Sequence, residues 1–403
     1  MKKIQLGILF GGRTCEHEVS VISALQLSRA VDLYRYDLYP IYINKNGEWF
    51  CGDGLLDLSN YREPILFSQP GLYEKCTLDI TTHSGALTVW QQGKGLFGKA
   101  KTKIITHLDV IIPVMHGLHG EDGSLQGMLE LADIPYSSTG IVGSSAGMDK
   151  IIMKQVFRGA DIPVLQDTSI LRSEYMQDKN AVVKQIEEKL EYPVFVKPSN
   201  LGSSIGISRA DNREELILAI DLACEYDRRI LIEKGLDRPI EVNCSVLGFD
   251  KEIRASVLEM PSTGGRALSF FDKYLRDGGG KGMASLSRII PAPIGEEMTE
   301  QIKQLSKKVF RLLDCKGVVR IDWMIDVNTE ELYITEINTI PGSMAFYLWN
   351  KSDPPIRYPK LIDMLVKYAI QAHTMKNENN YAFQSDLFSK MSLTGSKGSK
   401  SSV

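Results

Sequence analysis

Apolar segments that alternate with helical patterns constrain the fold of this chain most strongly. Ile4–Phe10 is mostly apolar and stops at a pair of glycines, and Val19–Val31 then repeats apolar residues at helical spacing. Further strand-like segments are Tyr36–Ile43 and Val110–Met115. Strands that alternate with helices predict a parallel α/β sheet, in which ligands bind at the carboxyl ends of the strands. We therefore expect an N-terminal parallel-sheet domain with functional groups just after Phe10 and Met115.

The pattern changes after the first domain. Residues 50–105 show little sustained period, and we treat them as an elaboration of the first domain that includes a hairpin. From about residue 140 a helix is expected, bounded by Gly140 and Pro163. Another helix begins at Asp211, where Glu214 completes a capping-box pattern. Strands are expected at 192–198, 205–208, 229–233 and 240–247. This order indicates an α+β unit rather than a second doubly wound sheet.

The remaining chain contains one more folded region and a tail. Helices are expected near 296–313 and 360–374, with a strand pair at 317–338 between them. The end of the chain is rich in Ser, Lys and Asn, a composition typical of disorder. The predicted domains are residues 1–138, 139–236 and 237–375, followed by a disordered tail, 376–403.

Composition excludes several classes of protein. The chain has 403 residues and a net charge of -3, which gives no basic field for nucleic acid. Its six cysteines are scattered without a CxxC pair, which argues against a zinc site or a disulfide scaffold. No stretch approaches the ~18 apolar residues of a membrane span. We expect a cytoplasmic protein that binds neither nucleic acid nor membranes.

The segment 318–338 is the most informative for chemistry. Both halves alternate with period two, so Arg320 and Asp322 share a face, as do Glu336 and Asn338. An antiparallel hairpin centred near Thr329 would place Asp322 opposite Glu336 and Arg320 opposite Asn338. Two carboxylates and an amide oxygen would then suit Mg²⁺, because opposed carboxylates are destabilising without a cation. The alternative is a surface hairpin with one salt bridge.

A second candidate site lies at 196–206. Lys197 ends a strand and precedes a turn that contains Gly202, Ser203, Ser204 and Gly206. Such a turn presents N–H groups and hydroxyls to phosphate oxygens, although the segment lacks Walker A spacing. An ordinary hairpin is the alternative.

Three further segments carry polar groups. Glu16 at a helix start either balances the helix dipole or holds a substrate ammonium. His116 and His119 lack a further ligand at plausible spacing, so zinc is not expected, and Glu121-Asp122 is expected to cap the next helix. Residues 270–282 place aromatic and charged residues around three consecutive glycines, which favours a mobile lid over an exposed linker.

Together these segments resemble the ATP-grasp superfamily, and most closely its D-alanine–D-alanine ligase branch, over about residues 1–370. The matching pieces are GGRTCEHEVS at 11–20, HGLHGEDGSLQG at 116–127, MDK at 148–150, VKPSNLGSSIG at 196–206, IEK at 232–234, DKY at 272–274, RID at 320–322 and EINTIPG at 336–342. The resemblance implies an ATP-grasp fold, part α/β and part α+β, behind a Rossmann-like (pre-ATP-grasp) N-terminal domain. It also implies ATP-dependent ligation of two D-alanines through an acyl phosphate, for peptidoglycan synthesis. Two Mg²⁺ ions are implied, with Mn²⁺ as a substitute, and a homodimer is common among such ligases.

The resemblance also implies a role for each matching residue. ATP would contact Lys150, Lys197, Ser203, Ser204, Glu233, Lys234, Glu241 and Lys273. Mg²⁺ would be held by Asp322, Glu336 and Asn338. The first D-alanine would lie beside His116 and a triad of Glu16, Ser203 and Tyr274. Arg320 and the N–H of Gly342 would stabilise the tetrahedral oxyanion.

One departure from the family pattern affects the second substrate. After Gly342 such ligases usually carry a Ser-His-Ser-like stretch whose last Ser binds the acceptor carboxylate. Here Tyr347 stands in the place of that Ser, and Leu348 matches its apolar neighbour. A tyrosine hydroxyl can donate to a carboxylate, but it reshapes the pocket. D-serine is therefore an alternative acceptor, and a nucleotide-binding homologue without turnover is an alternative function.

Overall fold

The computed structural model describes residues 2–61, 72–91, 101–261 and 288–381. Within these ranges the strands form three sheets of seven, four and five strands. Each sheet lies inside one of the three predicted domain ranges, and where one domain ends and the next begins stays a prediction. Among the described residues, no helix is both long and apolar enough to cross a membrane.

The first sheet has a parallel centre and an antiparallel extension. Its strands, in chain order, are β1 Ile4–Gly11, β2 Tyr36–Ile43, β3 Trp49–Cys51, β4 Glu74–Leu78, β5 Ala86–Gln91, β6 Lys101–His107 and β7 Val110–Pro113. The spatial order is β6-β5-β4-β3-β2-β1-β7, and β1 pairs in parallel with both β2 and β7. The predicted parallel sheet is therefore confirmed for three strands. The elaboration at 50–105 adds antiparallel strands to it, including the β4–β5 hairpin.

Helices cover both faces of the first sheet. Helix α1, His17–Ala30, packs against one face, and α2, Ser124–Ala132, packs against the other. Because β1 and β7 run in parallel, the segments that follow them emerge at the same edge of the sheet. This brings Glu16 and His116 to one side of the domain.

The second sheet is antiparallel, as expected for an α+β unit. Its strands are β8 Asp167–Leu171, β9 Val194–Pro198, β10 Ser208–Ala210 and β11 Arg229–Lys234, in the order β10-β9-β11-β8. The accompanying helices are α3 Ile141–Met148, α4 Lys150–Gly159, α5 Arg172–Gln177, α6 Lys179–Glu187 and α7 Arg213–Tyr226. Apolar residues of α5, α6 and α7 form a core with this sheet.

Two local expectations in this unit are wrong. The single helix expected between Gly140 and Pro163 is broken at Asp149, which has extended backbone and accepts bonds from Ile151 N (3.1 Å) and Ile152 N (3.0 Å) as the N-cap of α4. The capping box expected at Asp211 and Glu214 is absent, and the N-cap lies one residue later. Asn212 caps α7 by accepting from Glu215 N at 3.0 Å, and the Glu215 carboxylate accepts from Asp211 N at 2.8 Å.

The third sheet is antiparallel, and one of its faces is apolar while the other is polar. Its strands are β12 Ile240–Phe249, β13 Glu252–Pro261, β14 Arg288–Ile289, β15 Gly317–Ile325 and β16 Leu332–Asn338, in the order β14-β13-β12-β15-β16. One face packs apolar side chains against α8, Glu296–Leu312. The other face carries the polar residues of the candidate site.

The C-terminal helices connect the third sheet to the first. After a tight turn at Gly342–Ala345, α9 spans Phe346–Asn350 and α10 spans Tyr358–Asn377. Leu361 and Leu365 of α10 share a core with Leu6 and Ile8 of β1. The helix continues two residues into the range predicted as a disordered tail, and residues 382–403 lie outside the described residues.

Candidate active site

Four polar side chains form one row across the third sheet. Asp322 on β15 lies opposite Glu336 on β16 and opposite Asn243 on β12, and Asn243 lies opposite Glu259 on β13. Directly paired residues project from the same face of a sheet. The predicted pairings of Asp322 with Glu336 and of Arg320 with Asn338 are confirmed by this register.

Arg320 and Asn338 orient the carboxylate of Asp322. Arg320 donates from Nε and Nη2 to the two Asp322 oxygens, each at 2.7 Å, and Asn338 Nδ2 donates to Asp322 Oδ2 at 3.2 Å. Asp322, Glu336 and Asn338 thus place oxygen donors of the kind that Mg²⁺ prefers on one face. The described residues contain no group of three His, Cys, Asp or Glu side chains that could hold a metal, so a metal here would depend on the amide oxygen of Asn338.

A buried carboxylate in the second sheet joins two lysines. Glu233 on β11 accepts from Lys154 Nζ at 2.6 Å and from Lys197 Nζ, and Lys154 also lies 3.4 Å from Asp167. Burial alone would raise the pKa of Glu233, but the two ammonium groups outweigh it and lower this pKa to about 2. Sequence reasoning missed Lys154, which is only 2% exposed on α4.

Lys150 is influenced by side chains from all three sheets. Its ammonium is buried and donates to the carbonyl oxygen of Leu201 at 2.6 Å, at the start of the Gly/Ser turn. Burial lowers the pKa of Lys150, while the carboxylates of Glu336, Glu16 and Glu233 raise it. The charges of carboxylates from all three structural units therefore act on one lysine.

Glu16 connects the first sheet to the Gly/Ser turn. Its carboxylate accepts a hydrogen bond from the Ser203 hydroxyl. A Cβ at Gly117 would lie 2.4 Å from Glu16 Oε2, and a Cβ at Gly202 would lie 2.5 Å from the same oxygen. Glycine is needed at both positions for this close approach, and Gly117 also has a φ of 70°. Two of the three predicted triad residues are thus in contact, and Tyr274, together with Lys273, lies outside the described residues.

His116 is buried and forms hydrogen bonds to Ser23 and to Ile340. Its Nδ1 faces the carbonyl oxygen of Ile340 at 2.8 Å, so the neutral ring carries its proton on Nδ1. Its Nε2 accepts from the Ser23 hydroxyl at 3.0 Å, and Ser23 accepts in turn from Ser343 N at 3.0 Å. Burial lowers the pKa of His116 to about 4, with a smaller contribution from Arg320, so the ring stays neutral at physiological pH.

Glu121 does not cap the following helix as expected. It accepts from Gly117 N and from Ile340 N, each at 2.8 Å, and so joins the loop after β7 to the segment after β16. Burial raises the pKa of Glu121 to about 8, and the charges of Glu16 and Glu336 act in the same direction. Asp122 accepts from Ser124 N, the first residue of α2, at 2.9 Å, while the N-cap position itself is Gly123.

The segment after Gly342 turns sharply into α9. Ser343, Met344 and Ala345 have φ values of 49°, 56° and 49°, the left-handed region that side chains rarely adopt. Tyr347 then projects onto the polar face, where its hydroxyl donates to Glu259 Oε1 at 2.7 Å. Leu348, the other predicted acceptor-site residue, is fully buried.

Comparisons with known proteins agree with this architecture. The family model described as D-ala D-ala ligase N-terminus matches residues 5–139, and the one described as D-ala D-ala ligase C-terminus matches residues 156–367. A D-alanine–D-alanine ligase from Natranaerobius thermophilus is 38% identical over 398 residues, which cover 95% of this chain and 99% of that protein.

The chain belongs to the D-alanine–D-alanine ligase family.

Solved structures of similar proteins support the same fold. The D-alanine-D-alanine ligase from Coxiella burnetii matches with a TM-score of 0.74 and 26% identity, over 94% of this chain and 97% of that one. The VanG D-Ala:D-Ser ligase from Enterococcus faecalis matches with a TM-score of 0.74 and 28% identity, over 91% of this chain and 100% of that one. The predicted family and ATP-grasp fold are therefore confirmed.

The roles of individual residues in this ligase-family chain stay predictions. Lys234 is exposed at the end of β11, and Glu241 lies half-buried on the polar face of β12, two residues before Asn243. No sequence pattern indicated Asn243, Glu259 or Arg288, because only the pairing of distant strands brings them to this face.

Proposed function

We propose that this chain ligates two molecules of D-alanine to D-alanyl-D-alanine at the expense of ATP, as a cytoplasmic step that supplies peptidoglycan precursors. Its family membership gives the class of reaction. The observation that carries the proposal for these residues is the convergence of Glu336, Glu16 and Glu233 on the buried ammonium of Lys150. A site with this mixture of carboxylates and lysines suits a magnesium-bound nucleotide beside an amino acid.

In the first step the γ-phosphoryl group of ATP passes to a carboxylate oxygen of one D-alanine. The bond between the β,γ-bridging oxygen and the γ-phosphorus breaks, ADP leaves, and an acyl phosphate forms. Lys150 and Lys197 would neutralise phosphate charge from the second sheet, beside the N–H groups and hydroxyls of Ser203 and Ser204. Mg²⁺ held by Asp322, Glu336 and Asn338 would supply further positive charge to the phosphates.

In the second step the neutral amine of another D-alanine attacks the acyl carbon. A C–N bond forms, the carbon–oxygen bond to phosphate breaks, and the phosphate leaves with the proton that the attacking amine loses. Arg320 is fixed by two bonds to Asp322, so its charge is in place before the oxyanion develops. The N–H of Gly342, at the start of the left-handed turn, would be the second donor to that oxyanion.

The first D-alanine would lie between the loops after β1 and β7. Glu16 bonded to Ser203 supplies a carboxylate for its ammonium, and neutral His116 fixes the Ile340 segment beside it. Lys273 and Tyr274 would complete this site by resemblance to the family.

The direct test is product analysis by mass spectrometry with ATP, Mg²⁺ and D-alanine, alone or with D-serine or D-lactate. We expect D-alanyl-D-alanine and one phosphate for each dipeptide. ATP hydrolysis without dipeptide would contradict the proposal. Because a D-Ala:D-Ser ligase is among the matching structures and Tyr347 departs from the family pattern, D-serine is the second candidate acceptor. A mixed product formed in preference to D-alanyl-D-alanine would favour it.

A further inference from the structure

A buried carboxylate, Glu259, organises the edge of the polar face that the proposed phosphate and metal groups do not use. Glu259 is 2% exposed and accepts from Asn243 Nδ2 at 2.9 Å, from the Tyr347 hydroxyl at 2.7 Å and from Arg288 Nη1 at 3.3 Å. A buried carboxylate with three donors, one of them cationic, is a fixed anchor rather than a mobile group.

The Tyr347 hydroxyl already donates a hydrogen bond to Glu259. Burial raises the pKa of Tyr347, so the hydroxyl stays protonated, and its single proton is donated to Glu259. A protonated hydroxyl has one proton, so the same group cannot at the same time donate to the carboxylate of a substrate. Tyr347 therefore does not perform the task of the serine that it replaces.

Arg288 has a hydrogen-bond donor on this edge that the described residues do not use. It lies on β14 opposite Pro261, on the same face as Glu259, and its guanidinium carbon is 4.1 Å from the centre of the Tyr347 ring. Its Nε is buried and has no hydrogen-bond partner among the described residues. A buried, unpaired N–H on a cation is costly unless a ligand satisfies it.

The edge that carries this free Nε fits a carboxylate. Arg320, on the same face, shows how the Nε and Nη2 edge binds both oxygens of one carboxylate, with both distances at 2.7 Å. Arg288 is held for the same interaction by Glu259 at Nη1 and by the ring of Tyr347 against its plane. The charges of Tyr347 and Glu259 both act on Arg320, which places this edge beside the proposed oxyanion site.

We propose that Arg288 binds the α-carboxylate of the acceptor amino acid, and that Glu259 and Tyr347 position its guanidinium for that contact. This inference rests on the proposed function, since it names the group that recognises the second substrate. Arg288 takes over the recognition that a serine hydroxyl performs elsewhere in the family. An acceptor that lacks a carboxylate, such as D-alaninamide, should then be selected against by Arg288.

An internal competition measures this selection directly. The full chain is incubated with ATP, Mg²⁺, D-alanine and D-alaninamide, and mass spectrometry gives the ratio of D-alanyl-D-alanine to D-alanyl-D-alaninamide. Loss of a charge-assisted, two-point hydrogen bond in Arg288→Gln should lower this ratio about 30- to 100-fold. Arg288→Lys keeps the positive charge but cannot donate two parallel hydrogen bonds, so it should recover part of the ratio. Tyr347→Phe should lower the ratio less than about threefold, because Arg288 keeps its bond to Glu259. The ratio is independent of how much of each variant is folded.

Two controls separate this inference from the proposed function. Arg254→Gln makes the same chemical change at an exposed position of β13 and should leave the ratio unchanged. Hydroxylamine traps the acyl phosphate as D-alanine hydroxamate, which reports the first step without an acceptor carboxylate. If the wild type forms neither hydroxamate nor dipeptide, the proposed function is wrong. If hydroxamate forms but Arg288→Gln keeps the wild-type ratio, or Tyr347→Phe lowers it as much as Arg288→Gln, the role of Arg288 is wrong.

Discussion

At the scale of single residues, the site depends on buried charges that are held before any substrate arrives. Asp322 is fixed by Arg320 and Asn338, and Glu233 is fixed by Lys154 and Lys197. Each of these carboxylates has lost water and gained a cation or an amide, so its orientation is set by protein rather than solvent. Substitutions at such positions should affect binding and catalysis more than they affect surface properties.

Glu336→Gln tests the proposed metal ligands. The substitution keeps the size of the side chain but removes a charge that a divalent ion needs, so turnover with Mg²⁺ should fall at least about 100-fold, as measured by phosphate release. The melting temperature without ligands should change little. Glu330→Gln, an exposed change in the turn of the same hairpin, is the matched control. Wild-type turnover in Glu336→Gln would remove Glu336 from the metal site.

His116 gives a pH prediction whose sign follows from its environment. Its folded-state pKa of about 4 lies below the ordinary value of 6.5, so the unfolded chain binds more protons between these values. The contribution of His116 to stability is therefore fully present above pH 6.5 and is lost as the pH falls towards 4. Between pH 7 and 4 the free energy of unfolding of wild type should fall relative to His116→Asn by on the order of 3 kcal/mol.

Chemical denaturation across this pH range measures that difference. The exposed His107 supplies the matched control, His107→Asn. A constant gap between wild type and His116→Asn over the whole range would contradict a buried, neutral imidazole.

At the scale of elements, loops from different sheets meet through a few short contacts. The loop after β1 reaches the Gly/Ser turn through Glu16 and Ser203, and the loop after β7 reaches the segment after β16 through Glu121 and Ile340. These contacts align the three sheets around the candidate site.

A double-mutant cycle tests the contact between Glu16 and Ser203. If the two side chains act as one unit, Glu16→Gln and Ser203→Ala together should lower kcat/KM about as much as either change alone. The cycle should be measured at saturating ATP with D-alanine varied. Strictly additive losses in the double variant would show that the two residues act separately. Ser208→Ala, on β10 of the same sheet, is a control outside the turn.

The elements also show what could and could not be predicted from the sequence. The pairing of Asp322 with Glu336 was predictable because a short turn between two segments of period-two alternation limits the registers that keep the apolar residues on one face. The break at Asp149 was not, because the extended backbone there is held by distant partners, Ser199 and Arg229. The same holds for Glu259 and Arg288, which meet Tyr347 only after three distant segments pair and pack.

At the scale of the whole molecule, the N-terminal sheet and the C-terminal helix form one core. Residues of β1, α1 and α10 pack together with Leu247 and Val318 of the third sheet. The first and last parts of the chain therefore stabilise each other, and the two halves of the proposed amino-acid site share a common apolar core. The resemblance to the family covers both the first and the last part of the chain, but only the structure shows the core that they share.

Leu361→Ala tests this coupling. Leu361 is fully buried in α10, so its truncation should lower the free energy of unfolding by about 2–5 kcal/mol. Hydrogen exchange should show faster exchange in β1 and in β15 alike, since both sheets lose the same support. Faster exchange in α10 alone would indicate that the two sheets are stable independently.

We expect Asp322, Glu336 and Asn338 to face a metal-loaded nucleotide. Mn²⁺ can stand in for Mg²⁺, and its anomalous scattering locates it in a crystal of the chain with a non-hydrolysable ATP analogue. The anomalous peak should lie within about 2.0–2.3 Å of side-chain oxygens of these three residues and beside the nucleotide phosphates. A peak elsewhere, or phosphates bound away from the polar face of the third sheet, would contradict it.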